Sequence, residues 1–214
     1  LDDNHIVVDV INFRLLHSLI PADVVIIAGG KGTRLLPLTK NTPKPMLKIG
    51  EKPIMEYNLD RLSSFGIKNF WISVNYLKEQ IEEYFGNGIN KNINIKYVYE
   101  KNKLGTIGSV SKIDNFENEY VLITNSDILT KINYEDFYLD FINKNADLSI
   151  VSVPYKINVP FGVIESNNDQ ITDIIEKPTY TYYSNAGIYL IKKQYLSYIP
   201  KNQFFNATDL IDKL

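Results

Sequence analysis

The sequence predicts an α/β fold with a mixed, mostly parallel central sheet covered by helices. Three observations carry that reading. Short apolar, β-branched runs recur along the chain, and such runs suit strands buried on both faces. Segments of helical period, with start and stop residues at their ends, lie between them. A glycine-dense loop follows the first run directly, at the strand end where open α/β sheets hold their ligands.

Strands are expected at 24–28, 70–74, 95–99, 120–124, 147–153, 162–165, 171–175 and 187–191. Val24-Val25-Ile26-Ile27-Ala28 and Tyr120-Val121-Leu122-Ile123-Thr124 are apolar at successive positions, which fits a parallel sheet with no solvated face. Residues 53–65 read as a helix, with Pro53 in its first turn and Gly66 as its stop. Further helices are expected at 77–85, 106–113, 134–143 and 206–214. The shorter strands after residue 160 read as an antiparallel addition, and the Asn/Lys-rich stretch 87–94 as a solvated loop. Residues 1–21 stand apart. Ile6-Val7-Val8-Asp9, then Phe13, Leu15 and Leu16, look like the last strand and helix of a preceding domain, or like an arm private to this one.

A chain of 214 residues, 44% hydrophobic and 12% aromatic, can bury a core of its own. The net charge of −2 argues against nucleic acid as the main partner, so an anion-binding surface has to be local. Cysteine is absent, which removes disulfides and thiolate chemistry. No apolar stretch nears the ~20 residues that span a bilayer, and residues 1–21 lack the pattern of a signal peptide. A cytoplasmic protein without a membrane partner is expected. His5 and His17 have no nucleophile or ligand pattern around them, and Tyr180, Tyr182 and Tyr183 read as packing or loop residues.

The chemistry concentrates in Gly29-Gly30-Lys31-Gly32-Thr33-Arg34-Leu35-Leu36-Pro37-Leu38-Thr39, followed by Pro43-Lys44-Pro45-Met46. Dense glycine lets backbone N–H groups approach a phosphate, and Arg34 and Lys44 add positive charge. This is not a Walker A loop, because its lysine precedes the last glycine, and it is not a dinucleotide fingerprint, because Leu35 holds the third glycine position. The full string, Gly-Gly-x-Gly-Thr-Arg-Leu-x-Pro-Leu-Thr with Pro-Lys-Pro after it, resembles the signature of the sugar-1-phosphate nucleotidylyltransferases. The resemblance covers about 22–214 and implies a Rossmann-like fold of glycosyltransferase-A type. It also implies transfer of a nucleoside monophosphate from a nucleoside triphosphate to a sugar-1-phosphate, with Mg²⁺ as cofactor.

In that reading Ala28, Gly29, Gly30, Gly32 and Thr33 cradle the nucleotide. Arg34, whose planar fork grips two oxygens, suits the outer phosphates, and Lys44, held extended between prolines, suits the α-phosphate. Asp127 follows the strand at 120–124, where a hard carboxylate suits Mg²⁺ on phosphate oxygens. Lys103-Leu104-Gly105-Thr106-Ile107-Gly108 is similar to the family's Leu-Gly-Thr-Ala-Gly, which places Gly105 and Thr106 at the nucleotide. Glu100, just before it, offers only acceptors, and guanine presents two adjacent N–H donors, so GTP is favoured over the other triphosphates. Glu176-Lys177-Pro178 resembles the family's Glu-Lys-Pro, which implies Lys177 on the sugar phosphate and Glu176 on sugar hydroxyls. Asn185 in Asn185-Ala186-Gly187 and Gly162 in Phe161-Gly162-Val163 match further sugar-binding positions.

Family members continue past a helix like 206–214 to a Trp-x-Asp-Ile-Gly segment whose aspartate is a second metal ligand. The domain is thus expected either to lack that end here or to differ in its metal site. Among the family, guanylyltransferases for mannose-, heptose- and glucosamine-1-phosphate come closest. Some relatives carry cystathionine-β-synthase-type (CBS) domains before the transferase, and residues 1–21 are similar to the end of one. That points to the glucosamine type used for legionaminic-acid glycans. Cytidylyl, thymidylyl or uridylyl transfer to glucose-1-phosphate, and a non-catalytic sugar-nucleotide sensor, are the alternatives. Many relatives are dimers or tetramers, which leaves a homo-oligomer open.

Overall fold

A computed structural model describes residues 18–214 of the chain. The strand and helix expected before residue 18, with His5 and His17, lie outside the described residues. The described residues divide into two compact units. One runs up to Ser149 and resumes from Gly187 to Leu214, and the other is Ile150–Ala186.

The first unit is built on β1 (Ala22–Ile27), β4 (Asn69–Val74), β5 (Asn94–Tyr99) and β6 (Tyr120–Asn125). A hairpin of two short strands, β2 (Lys48–Ile49) and β3 (Lys52–Pro53), lies between β1 and β4 in sequence. β1 is parallel to both its neighbours, with Val24 opposite Phe70 of β4 and Leu122 of β6. β4 in turn pairs with β5 in parallel, Phe70 opposite Ile95. Strand order is β5-β4-β1-β6-β10-β7, with β7 at Leu148–Asn158 and β10 at Thr179–Lys192. β10 makes the sheet mixed, pairing antiparallel to β6 from Ile188↔Thr124 to Lys192↔Tyr120. Val24, Val25 and Ile26 are fully buried, as the unbroken apolar run requires of a strand covered on both faces.

Helix α1 (Ile54–Ser64) covers the sheet with Met55, Leu59 and Leu62, all fully buried at helical spacing. Gly66 ends it at φ +80°, where a side chain would strike the Ser18 carbonyl at 2.6 Å. Helices α2 (Lys78–Phe85) and α3 (Tyr134–Asn143) follow, the latter capped by the Asn133 side chain accepting from the Glu135 N–H at 3.0 Å. Among the described residues no helix is long and apolar enough to cross a membrane.

Two helix expectations are corrected. Residues 106–113 form no α-helix, only a 3-10 turn at Gly108–Lys112. Gly105 has φ +82° and Ile107 φ −136°, both outside helical backbone, and the bonds that follow are of the 3-10 kind, from the Val110 N–H to the Ile107 carbonyl and from the Ile113 N–H to the Val110 carbonyl, each at 3.0 Å. The Thr106 and Ile107 N–H groups donate to the Asn206 side chain and the Phe205 carbonyl, both at 3.2 Å. The last helix, α4, spans Ala207–Ile211 rather than 206–214, opened by a capping box between Asn206 and Asp209.

In the second unit, β8 (Val163–Asn167) and β9 (Gln170–Ile175) form an antiparallel hairpin, as expected of the later strands. Asn168 and Asp169 make its turn with φ of 47° and 64°, the left-handed pair that a two-residue hairpin loop needs. Tyr180, Tyr182 and Tyr183 stand in β10 rather than in a loop.

Candidate active site

The loop after β1 is bent by its own sequence. Gly32 has φ +62°, and a side chain there would lie 2.9 Å from the Thr39 methyl and 3.1 Å from Lys44 Cβ. Buried Thr39 donates its hydroxyl to the Gly32 carbonyl at 2.9 Å, and a 3-10 turn over Thr33–Leu35 follows. The return arm is anchored by α2 and the residues before it. The Tyr76 hydroxyl donates to the Lys40 carbonyl at 2.7 Å and the Gln80 amide to the Asn41 carbonyl at 2.9 Å. Lys44 is not extended as its flanking prolines suggest: only Pro43 is, and Lys44 opens a second 3-10 turn, Lys44–Met46, closed by the Met46 N–H donating to the Pro43 carbonyl at 2.8 Å. Around Gly30 there is open space, so no packing demands glycine there, and its bare backbone faces the cleft described below.

Asp127 is placed by the turn that ends β6. The Ser126 N–H donates to the Ile27 carbonyl at 3.1 Å, and the buried Asn58 amide of α1 donates to the Ser126 carbonyl at 3.0 Å. Lys44 Nζ and the Asp127 carboxylate form an ion pair, with the side chains 29% and 31% exposed.

One cleft of about 490 Å³ gathers these groups. Ala28, Gly29, Gly30, Gly32, Thr33, Arg34, Lys44 and Asp127 line it, together with Glu100, Gly105 and Thr106. Gly32, Arg34, Lys44 and Asp127 also border a neighbouring apolar hollow of about 780 Å³, walled by Leu35, Leu38, Leu47 and Ile54. Glu100 and residues 103–106 do not, so the cleft has a cationic end and an end built around Glu100.

At that second end the Glu100 carboxylate accepts from the hydroxyl of fully buried Ser73 and, at 3.4 Å, from the Leu104 N–H. The Asn75 amide donates to the Glu100 carbonyl at 2.8 Å. A side chain at Gly29 would come within 2.8 Å of Glu100 Oε1, so glycine there lets the carboxylate pack against the loop. The Thr106 hydroxyl is committed too, accepting from the Ala207 N–H at 2.8 Å at the start of α4.

The remaining predicted residues belong to the second unit. A side chain at Gly162 would lie 3.2 Å from Glu176 Oε2, so these two adjoin. Lys177 Nζ lies 3.8 Å from Glu176 Oε1, with both side chains well exposed. Lys177 has φ 44°, an uncommon backbone for a residue with a side chain. Asn185 sits in β10.

Sequence reasoning passed over several participants. Lys31, Lys103 and Phe204 line the cleft, and Asn58, Thr39 and Ser73 hold its walls. Lys31 stood inside the motif, whereas Asn58 and Ser73 carry no signal distinguishing them from ordinary helix and strand residues.

For a metal, the described residues gather no group of three or more His, Cys, Asp or Glu side chains. At the cationic end of the cleft the carboxylate is Asp127, with Glu100 at the other end and no histidine or cysteine at either. One carboxylate completed by phosphate oxygens and water is a common way to hold Mg²⁺, so the residues fit that ion and not zinc.

Mixed sheet, glycine-dense loop at the end of its central parallel strand and carboxylate at the end of the next together define an α/β fold of glycosyltransferase-A type. The chain belongs to the nucleotidyl transferase family, whose family model matches residues 23–212. It is 31% identical over 210 residues to the UTP–glucose-1-phosphate uridylyltransferase of Synechocystis sp. PCC 6803, covering 89% of this chain and 54% of that protein. It is 31% identical over 173 residues to the D-glycero-alpha-D-manno-heptose 1-phosphate guanylyltransferase of Aneurinibacillus thermoaerophilus, covering 80% and 75%. Its fold matches the crystal structure of HddC from Yersinia pseudotuberculosis complexed with GMP-PN at a TM-score of 0.64 and 26% identity, over 86% of this chain and 82% of that one. The chain spans about half the length of the curated relatives it matches first.

Proposed function

We propose that this chain carries out nucleotidyl transfer: a sugar-1-phosphate oxygen attacks the α-phosphorus of a nucleoside triphosphate, the new P–O bond forms, and pyrophosphate leaves as the α–β bridge breaks. One observation carries the reading: Arg34 of the glycine-rich loop, Lys44 of its return arm and Asp127 after β6 line one cleft. Both reactants are polyanions, so the work lies in alignment and in offsetting charge, and no covalent intermediate is needed. Arg34 grips the outer phosphates and Lys44 the α-phosphate. Asp127 would hold Mg²⁺, which would supply further positive charge to offset that of the phosphates. Lys177 positions the attacking phosphate, while Gly162, Glu176 and Asn185 serve the sugar.

GTP is the favoured donor. Glu100 supports this with a carboxylate at the cleft, as does the resemblance to guanylyltransferases. Glucosamine-1-phosphate is the first candidate acceptor, supported by residues 1–21, and heptose- and mannose-1-phosphate follow. Uridylyl transfer is the second reading, favoured by the likeness to the Synechocystis protein. We place the reaction in the cytoplasm. Pyrophosphate release, measured with the four triphosphates against a panel of sugar phosphates, tests the whole proposal. Turnover with GTP and one hexosamine, hexose or heptose phosphate is expected. Tight nucleotide binding with no turnover for any pair would make the protein a sensor instead.

A further inference from the structure

We infer that Phe204 is the stacking platform for the nucleobase, a wall of the cleft supplied from the far end of the sequence; this rests on the nucleotide reading above. Two successive phenylalanines have opposite surroundings. Phe205 is 6% exposed, with Lys213 Nζ 4.8 Å from its ring centre, whereas Phe204 is 63% exposed and lines the cleft. Its place is fixed by the backbone beside it. The Phe205 N–H donates to the Leu104 carbonyl at 2.9 Å, and the Phe205 carbonyl accepts from the Ile107 N–H at 3.2 Å. Gly105 and Gly108 make this approach possible: a side chain at 105 would stand 2.5 Å from the Phe205 carbonyl oxygen, and one at 108 would stand 2.7 Å from that of Gln203.

Charge decides which part of the nucleotide meets this ring. Arg34, with no carboxylate paired to it among the described residues, draws the phosphates to the opposite end, whereas at this end the Glu100 carboxylate offsets the charge of Lys103. The neutral base is what remains for the end that holds Phe204. With the neighbouring backbone already held, only the two side-chain torsions of Phe204 are ordered on binding, so stacking adds affinity with little offset. Every base has a π face, so the contact strengthens all nucleotides alike and leaves discrimination to Glu100.

Calorimetric titration of the full chain with GTP, UTP and inorganic tripolyphosphate tests the inference. F204A is expected to weaken GTP and UTP about tenfold each, to leave tripolyphosphate unchanged, and to keep the melting temperature, because the side chain is exposed. F204Y should restore both nucleotides to within about twofold. R34A should weaken all three ligands. Equal loss of tripolyphosphate in F204A, no loss of either nucleotide, or no rescue by F204Y overturns the role of Phe204 while the R34A result still upholds the cleft. If R34A changes none of the three, the nucleotide reading falls and this inference with it.

Discussion

At the scale of single residues, the cleft divides into groups that meet charge and groups that hold them. Arg34 makes no ion pair among the described residues and lines the cleft, so its removal should cost binding and rate with little cost in stability. R34A is expected to lower kcat/KM for the triphosphate by ~10²- to 10³-fold, read by pyrophosphate release, with a melting temperature near wild type. Glu100 is different, because its carboxylate already accepts from Ser73 and Leu104. A carboxylate has about four acceptor sites, so two remain for a base. E100Q should lower GTP use about tenfold or more relative to UTP, and an unchanged GTP:UTP ratio of kcat/KM would remove the guanine argument. Gly32, Arg34, Lys44 and Asp127 were legible in the sequence because their types and spacing are narrowly set by phosphate chemistry. Phe204 was not, since an exposed and a buried phenylalanine side by side are the same two letters.

Among the elements, α1 shows how a helix can position a site through an ionic network outside it. Lys91 Nζ reaches Glu56 at 2.7 Å and Asp60 at 2.6 Å, and Lys52 Nζ reaches Asp60 at 2.7 Å. Burial works to raise the Glu56 pKa, but hydrogen bonds from Lys91 and Tyr84 outweigh it and hold the carboxyl below its ordinary value. Asp60 follows the same pattern, with burial opposed and overcome by Lys52 and Lys91. A folded pKa below the unfolded one adds stability above about pH 4, lost as pH falls through the folded value. Lys91 is shifted the other way: burial lowers it, Asp60 and Glu56 raise it further, and its contribution is lost only as pH rises past the lysine range. E56Q should therefore lose about 1–2 kcal/mol at pH 7 and show a flatter fall in melting temperature from pH 6 to pH 3 than the wild type.

The same scale explains the helix that was expected at 106–113 and did not form. Apolar spacing favoured it, but Gly105 and Ile107 leave helical backbone and turn the chain to meet residues 205 and 206, a pairing that no local pattern reveals. G105A should test that pairing: with φ +82° and no room beside Phe205, it is expected to cost about 2–3 kcal/mol in chemical denaturation.

At the scale of the whole molecule, sequence and structure agree on the sheet and part over its partition. Alternation of apolar strands and helices was enough for the parallel core, because strands covered on both faces are mostly apolar, with Asp23, Ser73 and Thr124 the buried polar residues within them. The separate unit Ile150–Ala186 was not legible beyond its antiparallel strands, since its boundary runs inside the continuous strands β7 and β10 with no break or turn to mark it. Arg34 and Lys177 lie in different units, and their variants should fail differently. K177A is expected to raise KM for the sugar phosphate about tenfold while the dissociation constant for the triphosphate stays as in wild type, measured by steady-state kinetics and titration.

The bonding of residues 104–107 to residues 205–207 also bears on how chains of this lineage are to be judged. A shortened homologue could keep every signature residue from the first loop to Glu-Lys-Pro and still stop before this tail. Its motifs would read as intact, yet residues 104–107 would lose the partners that hold them. Such a gene product is expected to melt earlier and to take up nucleotide weakly in calorimetric titration, with no signature residue missing.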